Sequence, residues 1–165
     1  MDIRPLAESD DRAQVRIGQA DLDRFFYEDA LAAAAERISR TYVAVNDARV
    51  VGFVTVCPAV VRANAHLPNT RFRYPFPCLL IARLGTDVEH RGKGIGDALV
   101  RQALRLASEM AEAVACALVV VDSKPESVWF WRDKWQFTLL KPEDTHGIAR
   151  YYLRTDFLAE LRPRS

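Results

Sequence analysis

One stretch in the middle of the chain constrains the fold more than any other: Leu84-Gly85-Thr86-Asp87-Val88-Glu89-His90-Arg91-Gly92-Lys93-Gly94-Ile95-Gly96. The apolar run from Cys78 to Leu84, interrupted by Arg83, reads as a strand that delivers the chain to a loop with three glycines at alternate positions. After the loop, Leu99, Ala103, Leu106 and Met110 share one face of a helix. Amides in the first turn of a helix have no intrahelical acceptor, and the helix dipole favours negative charge there, so a helix start is an anion site. Glycines let the backbone approach phosphate oxygens and take positive φ. Arg91 and Lys93 add formal charge, and the stretch reads as a phosphate cradle.

Two familiar phosphate loops do not fit it. A Walker A loop needs G-x4-G-K-[ST], but six residues separate Gly85 from Gly92-Lys93, and Gly94 stands where a hydroxyl should hold magnesium. A dinucleotide fingerprint needs G-x-G-x-x-G on a first βαβ unit. After Gly92 and Gly94 the third slot is Asp97, and the motif lies in mid-chain behind a hairpin.

Composition narrows the class further. With 165 residues, 50% of them hydrophobic and 27% charged, the chain suits one globular domain over residues 1–165. A net charge of +1 excludes a strongly basic nucleic-acid binder at whole-chain level. The charge is uneven, however: −3 over residues 1–61, +5 over 62–105 and −1 over 106–165. An anion would be met in the middle segment, at the cradle or at Arg62, Arg71, Arg73 and Arg83. Eight acidic residues within the first thirty break any signal-peptide core, and the nine-residue run Ala113 to Val121 cannot span a bilayer. Cys57, Cys78 and Cys116 lack CxxC spacing and read as reduced, buried thiols of a cytoplasmic protein. His66, His90 and His146 lack ligand spacing, so no metal is expected.

The remaining elements follow from periodicity and turn signals. Asp2 to Arg4 reads as a strand stopped by Pro5. Leu22, Phe25, Phe26, Ala30, Ala33, Ala34 and Ile38 recur at helical spacing. Tyr42–Val45 and Val50–Val56 form a hairpin around Asn46-Asp47-Ala48-Arg49. Pro58 to Pro77, with four prolines, is a long loop. Ala117–Val121 is a strand, Asp122-Ser123-Lys124-Pro125 caps and opens a helix, and Phe137–Leu140 and Arg150–Leu153 are the closing strands.

Arg91-x-x-Gly94-x-Gly96 resembles the [RQ]-x-x-G-x-[GA] pyrophosphate loop of the GNAT family of acyl-CoA N-acyltransferases, and Leu84-Gly85-Thr86-Asp87 stands where a typical member has Leu-Ala-Val-Asp. The order of elements resembles the GNAT succession across nearly the whole chain. The resemblance implies an α/β (mixed α+β) domain with a central, mostly antiparallel, twisted sheet of about six or seven strands and helices on both faces. It also implies acetyl-CoA as cosubstrate, with Leu84 and Thr86 offering backbone groups to the pantetheine arm and Arg91, Gly92, Lys93, Gly94, Ile95 and Gly96 wrapping the pyrophosphate.

The sequence departs from the family at the acid. Members often carry N-x-x-A-x-x-F-Y on the helix after the fifth strand, with the Tyr protonating the departing thiolate; here Lys124, Ser127, Phe130 and Trp131 fall on those positions. Indole is no acid at neutral pH, so no catalytic residue is assigned; Ser123, Ser127, water or unassisted departure remain. Trp135-Gln136-Phe137 replaces the expected Gly-Phe with one inserted residue. Trp129, Phe130, Trp131 and Trp135 read as core and cofactor-side packing. Asp87, Glu89, His90 and Asp122 are near the cradle in sequence and leave the general base open.

A narrower resemblance is to the toxin GNATs of toxin–antitoxin pairs, through Leu22-Asp23-Arg24-Phe25, through Pro77 to Leu84, and through Val121-Asp122 and Arg150-Tyr151-Tyr152-Leu153-Arg154. It implies an aminoacyl-tRNA acceptor, a ribbon-helix-helix antitoxin as partner, and a homodimer without membrane attachment. The other readings are a small-molecule or protein amine acetyltransferase and a catalytically silent acyl-CoA-binding module.

Overall fold

Alternating β-rich runs and a left-handed turn build the first part of the chain. In the computed structural model, which describes residues 1–62, 67–73 and 75–159, β1 (Asp2–Pro5) pairs antiparallel with β2 (Arg40–Asn46), Asp2 opposite Val45 and Pro5 opposite Tyr42. Pro5 therefore belongs to the strand it was expected to stop, as an edge strand permits. β2 turns into β3 (Arg49–Val61) through Asp47 and Ala48, whose φ values of 48° and 63° make the left-handed two-residue turn that matches strand twist. The register slips by one residue after Ala44, leaving Val51 as a bulge.

The chain forms two units: Met1–Cys57 with Ile81–Ala103, and Pro58–Leu80 with Leu104–Ser165. Strands β3 and β4 (Phe76–Thr86) and helix α3 (Ile95–Ala113) contribute residues to both. The long loop expected from Pro58 to Pro77 is shorter, because Pro58–Val61 and Phe76–Pro77 are strand; His66 lies outside the described residues.

In the first unit the strands follow the order β1-β2-β3-β4. The expected first helix is α1 (Ala20–Arg24), a π turn (Phe25–Asp29) and α2 (Ala30–Ala35). It ends before Ile38, which is exposed rather than core, because Arg37 takes a left-handed φ of 59°. Leu22, Phe25, Phe26 and Ala30 pack with Val15, Ile17, Val43, Val50 and Phe53, and the Phe26 and Phe53 rings stack at 4.5 Å.

In the second unit β5 (Leu118–Ser123), β7 (Ala149–Arg154) and β6 (Thr138–Lys141) lie in that order, both pairs antiparallel. Val61, Phe76, Cys78, Leu118, Val120 and Tyr152 form their core. Seven strands among the described residues agree with the expected six or seven. The expected cap is shifted: Asp122 and Ser123 remain in β5, and Lys124 stands at the cap of the turn Pro125–Ser127 without a side-chain capping bond. A π turn, Trp129–Lys134, follows. Cys78 and Cys116 are buried and in no disulfide, whereas Cys57 is half-buried because the last residues of β3 alternate toward solvent.

Candidate active site

The cradle is assembled within the first unit. β4 ends at Thr86, and Asp87 caps a short turn, Val88–His90, by accepting from the Glu89 amide at 3.1 Å. Gly92 and Gly94 then take left-handed φ values of 76° and 77°, and a Cβ built on either meets nothing within 4 Å. The Gly94 carbonyl accepts the first helical bond of α3 from Ala98 at 3.1 Å. Gly94 thus caps the helix without a side chain that would compete for the amides of the first turn. Ile95, 4% exposed, anchors that turn beside Gly52. A backbone turn with open space at its two glycines and a helix dipole behind it has the features of an anion site.

The other predicted binding residues lie on the elements that flank this turn. Leu84 and Thr86 alternate on β4, both half-buried, while Gly85 between them faces Ile17 so closely that a Cβ there would lie 2.9 Å from it. Lys93 and Gly96 stand at the mouth of the turn, the first exposed and the second half-buried. Arg91 donates to the Ile17 carbonyl. That contact extends a strap, residues 16–18, which also holds the Val88 amide on the Arg16 carbonyl at 2.8 Å and the Arg16 amide on Asp87 at 2.9 Å. The strap was not legible in the sequence, because its partners lie about seventy residues apart and only the β4 register joins them.

The groups considered as general bases are all engaged. Asp87, 1% exposed, accepts from the Arg16 and Glu89 amides and pairs with His90 Nδ1 at 3.0 Å and with Arg49 at 3.7 Å. Burial alone would raise its carboxyl pKa; the Arg16 amide, His90, the Glu89 amide and Arg49 together outweigh burial and leave it lowered. Glu89 faces Arg49 at 3.4 Å, and Asp122 is held in a two-point pair by Arg150 at 2.7 and 2.9 Å. Ligand atoms of Asp87, Glu89 and His90 lie within 4.8 Å of one another, a proximity that histidine spacing alone did not predict. The Arg49 charge and the internal hydrogen bonds of Asp87 already occupy that group.

Trp131 is 4% exposed and meets Phe130 and Phe137 edge-on at 5.0 and 5.3 Å. Trp135 is buried as expected, but Trp129 is 58% exposed, because the π turn rotates it away from that packing. The Trp135 amide bonds to the Phe130 carbonyl, and Gln136 takes a left-handed φ of 61°. The π turn Trp129–Lys134 holds one residue more per hydrogen-bonded turn than an α-helix does, directly ahead of the left-handed Gln136. The Ser123 hydroxyl donates to the Lys124 carbonyl at 2.9 Å, and Ser127 is half-buried.

The phosphate-type cradle, on this order of strands and helices, is that of an acyl-CoA N-acyltransferase, and the chain belongs to the acetyltransferase (GNAT) family, whose profile matches residues 3–134. It is 31% identical over 121 residues to a tRNA-acetylating toxin of Mycobacterium tuberculosis (strain ATCC 25618 / H37Rv), an alignment covering 72% of each chain. Among solved structures it resembles AtaT complexed with acetyl-methionyl-tRNAfMet (TM-score 0.82, 19% identity, 96% of this chain and 97% of that one). It also resembles a tyrosine-to-phenylalanine mutant of KacT (TM-score 0.81, 21% identity, 96% and 97%). No helix among the described residues is long and apolar enough to cross a membrane.

Proposed function

We propose that the chain works as one acyltransferase domain that moves the acetyl group of acetyl-CoA to the α-amine of an aminoacyl-tRNA. The observation that carries the first half is the pair of left-handed glycines, Gly92 and Gly94, open in front of α3. Leu84 and Thr86 hold the pantetheine arm through their backbone, and Arg91, Gly92, Lys93, Gly94, Ile95 and Gly96 receive the pyrophosphate. Acetyl-CoA supplies an activated acyl carbon, and the chain supplies orientation and anion binding.

The acceptor follows from the proton that must be lost. Asp87, Glu89 and Asp122 each face an arginine and His90 Nδ1 lies 3.0 Å from Asp87, and an amine that is neutral without a strong base suits such a site. An α-amine, with a pKa of about 7.7–8.0, is partly neutral near pH 7.5, whereas a lysine side chain near about 10.4 is almost wholly charged. That difference supports an aminoacyl ester over a protein lysine, and the likeness to a tRNA-acetylating toxin supports the same acceptor. A thiol leaves with a pKa of about 8.5, so departure into water needs no tyrosine in the Trp131 position. A ribbon-helix-helix antitoxin and a homodimer complete the reading, in the cytoplasm and without a resident metal.

Labelled acetyl-CoA incubated with the protein and a set of charged tRNAs is expected to give N-acetylaminoacyl-tRNA and free thiol. Transfer to a small amine but to no tRNA rules out the acceptor. A melting temperature raised by acetyl-CoA, with no thiol released by any amine, leaves a silent binding module. Trp131→Tyr is expected to lower the melting temperature without raising the rate, because the indole packs on Phe130 and Phe137 and the smaller ring leaves a void of the kind that costs about 1–3 kcal/mol. A rate gain in the same variant reassigns the position to the departing thiolate.

A further inference from the structure

Alternation along β4 places Arg83 and Gly85 on one face. That face is covered by the segment entering the first helix: Ile17 lies on Gly85, and the Arg83 guanidinium carbon lies 3.7 Å from the centroid of the Phe25 ring. Phe25 is itself fixed in the core, 8% exposed, so the guanidinium is held over its ring in a half-buried position one residue before Leu84.

Arg83 is unlike the other well-placed arginines. Arg4, Arg49, Arg132, Arg150 and Arg154 each meet a carboxylate. Among the described residues Arg83 meets none and donates no hydrogen bond; its contacts are the Phe25 face and the field it exerts on the Cys57 thiol, which opposes the effect of burial. A guanidinium carries five N–H donors in a planar fork, and stacking occupies its face while leaving the donors at its edge. Clamping removes much of the rotamer entropy that a flexible surface arginine loses on binding. Such a group is organised for an oxyanion, carboxylate or phosphate.

We propose that Arg83 is a specificity-determining residue that binds the phosphate on the 5′ side of the 3′-terminal adenosine of the acceptor RNA. The proposal rests on the aminoacyl-tRNA reading above. In that substrate the amino acid is esterified and has lost its carboxylate, so the anion nearest the reacting amine is the phosphate of the nucleoside that carries it. Arg62 and Arg73 are exposed, and Arg71 lies 5.1 Å over an exposed Phe72, so none of the three is held on a buried ring as Arg83 is.

The test uses the full chain and three acceptors: an aminoacyl-tRNA, the same amino acid esterified to adenosine 5′-monophosphate, and the ester of unphosphorylated adenosine. The wild type is expected to prefer the phosphorylated ester by about ten- to hundredfold in kcat/KM, the range for a hydrogen-bonded charged group. Arg83→Gln should bring that preference to about one and lower kcat/KM on the tRNA, while Arg83→Lys, which keeps charge but not the fork, should retain part of it. Acetyl-CoA should raise the melting temperature of both variants as it does that of the wild type. A preference unchanged in Arg83→Gln, or equal losses on all three acceptors, overturns the assignment and leaves Arg83 a packing partner of Phe25. Acetylation of both esters but not of tRNA removes the tRNA reading while the ester ratio still decides Arg83. Wild-type inactivity on all three overturns both.

Discussion

Gly94→Asp is expected to abolish acetyl-CoA binding in a protein that still folds. The position takes a left-handed φ of 77°, which costs a non-glycine residue roughly 1–2 kcal/mol, and a Cβ there meets nothing within 4 Å. The fold therefore loses little. The new carboxylate, however, projects into the concavity ahead of α3, where it competes for the first-turn amides and repels a pyrophosphate. Isothermal titration should show at least about a hundredfold weaker binding, since several charge-assisted hydrogen bonds are lost together. The rise in melting temperature with acetyl-CoA should disappear. Gly94→Ala carries the same backbone strain without the charge and separates the two effects. Retained binding in Gly94→Asp would place the pyrophosphate elsewhere.

The second large effect is on stability. Asp87→Ala should destabilise the chain by about 3 kcal/mol, because it leaves two amides, of Arg16 and Glu89, without their acceptor and strips Arg49 and His90 of their common partner. For a chain of this size that corresponds to a melting temperature lower by roughly 6–12 °C. The pH dependence has a definite sign. The Asp87 carboxyl is held below its ordinary value in the folded chain, so its contribution is fully present above the unfolded-state pKa of about 3.9 and is lost as pH falls through the lower folded value. The gap in melting temperature between wild type and Asp87→Ala should thus be full at pH 7 and shrink below about pH 4. Asp10, lowered chiefly by its hydrogen bond from Arg4, contributes acid sensitivity of its own, but it is present in both proteins and cancels in the gap. A gap that stays constant down to pH 3 would show that Asp87 acts by shape alone.

These two residues divide the molecule according to what could be read in advance. Gly94 announced itself: glycines at alternate positions between an apolar strand and a helical pattern have few other uses, and the φ values at Gly92 and Gly94 are what that spacing requires. Asp87 looked like a candidate base because it lies near the cradle in sequence. Its actual work, tying the strap at Arg16 to the end of β4, depends on a partner seventy-one residues away. The helical spacing from Leu22 to Ile38 was likewise visible, but not its end at Ala35 or its π turn, since those depend on Arg37 and on packing against Phe53. The aromatic cluster from Trp129 to Phe137 was likewise visible, but not the π turn that carries its first residues.

By itself, then, the sequence determined the order of the elements and the glycine turn, because each is written in local spacing: alternation for strands, helical recurrence for α3, glycines where φ turns positive; the family was legible through the resemblance of Arg91-x-x-Gly94-x-Gly96 and of that order to the GNAT pattern. Tertiary structure alone decided which charges are spent and which are available. Asp87, Glu89, His90 and Asp122 are the same side chains in sequence as in space, yet only folding gives them their partners: Arg49 for Asp87 and Glu89, Asp87 for His90, and Arg150 for Asp122. Arg83, one of eight basic residues in the middle segment, keeps its donors because Phe25 offers it a ring face instead of a carboxylate. Pairing is a property of distance, and distance between residues far apart in a chain is set only when the strands find their register.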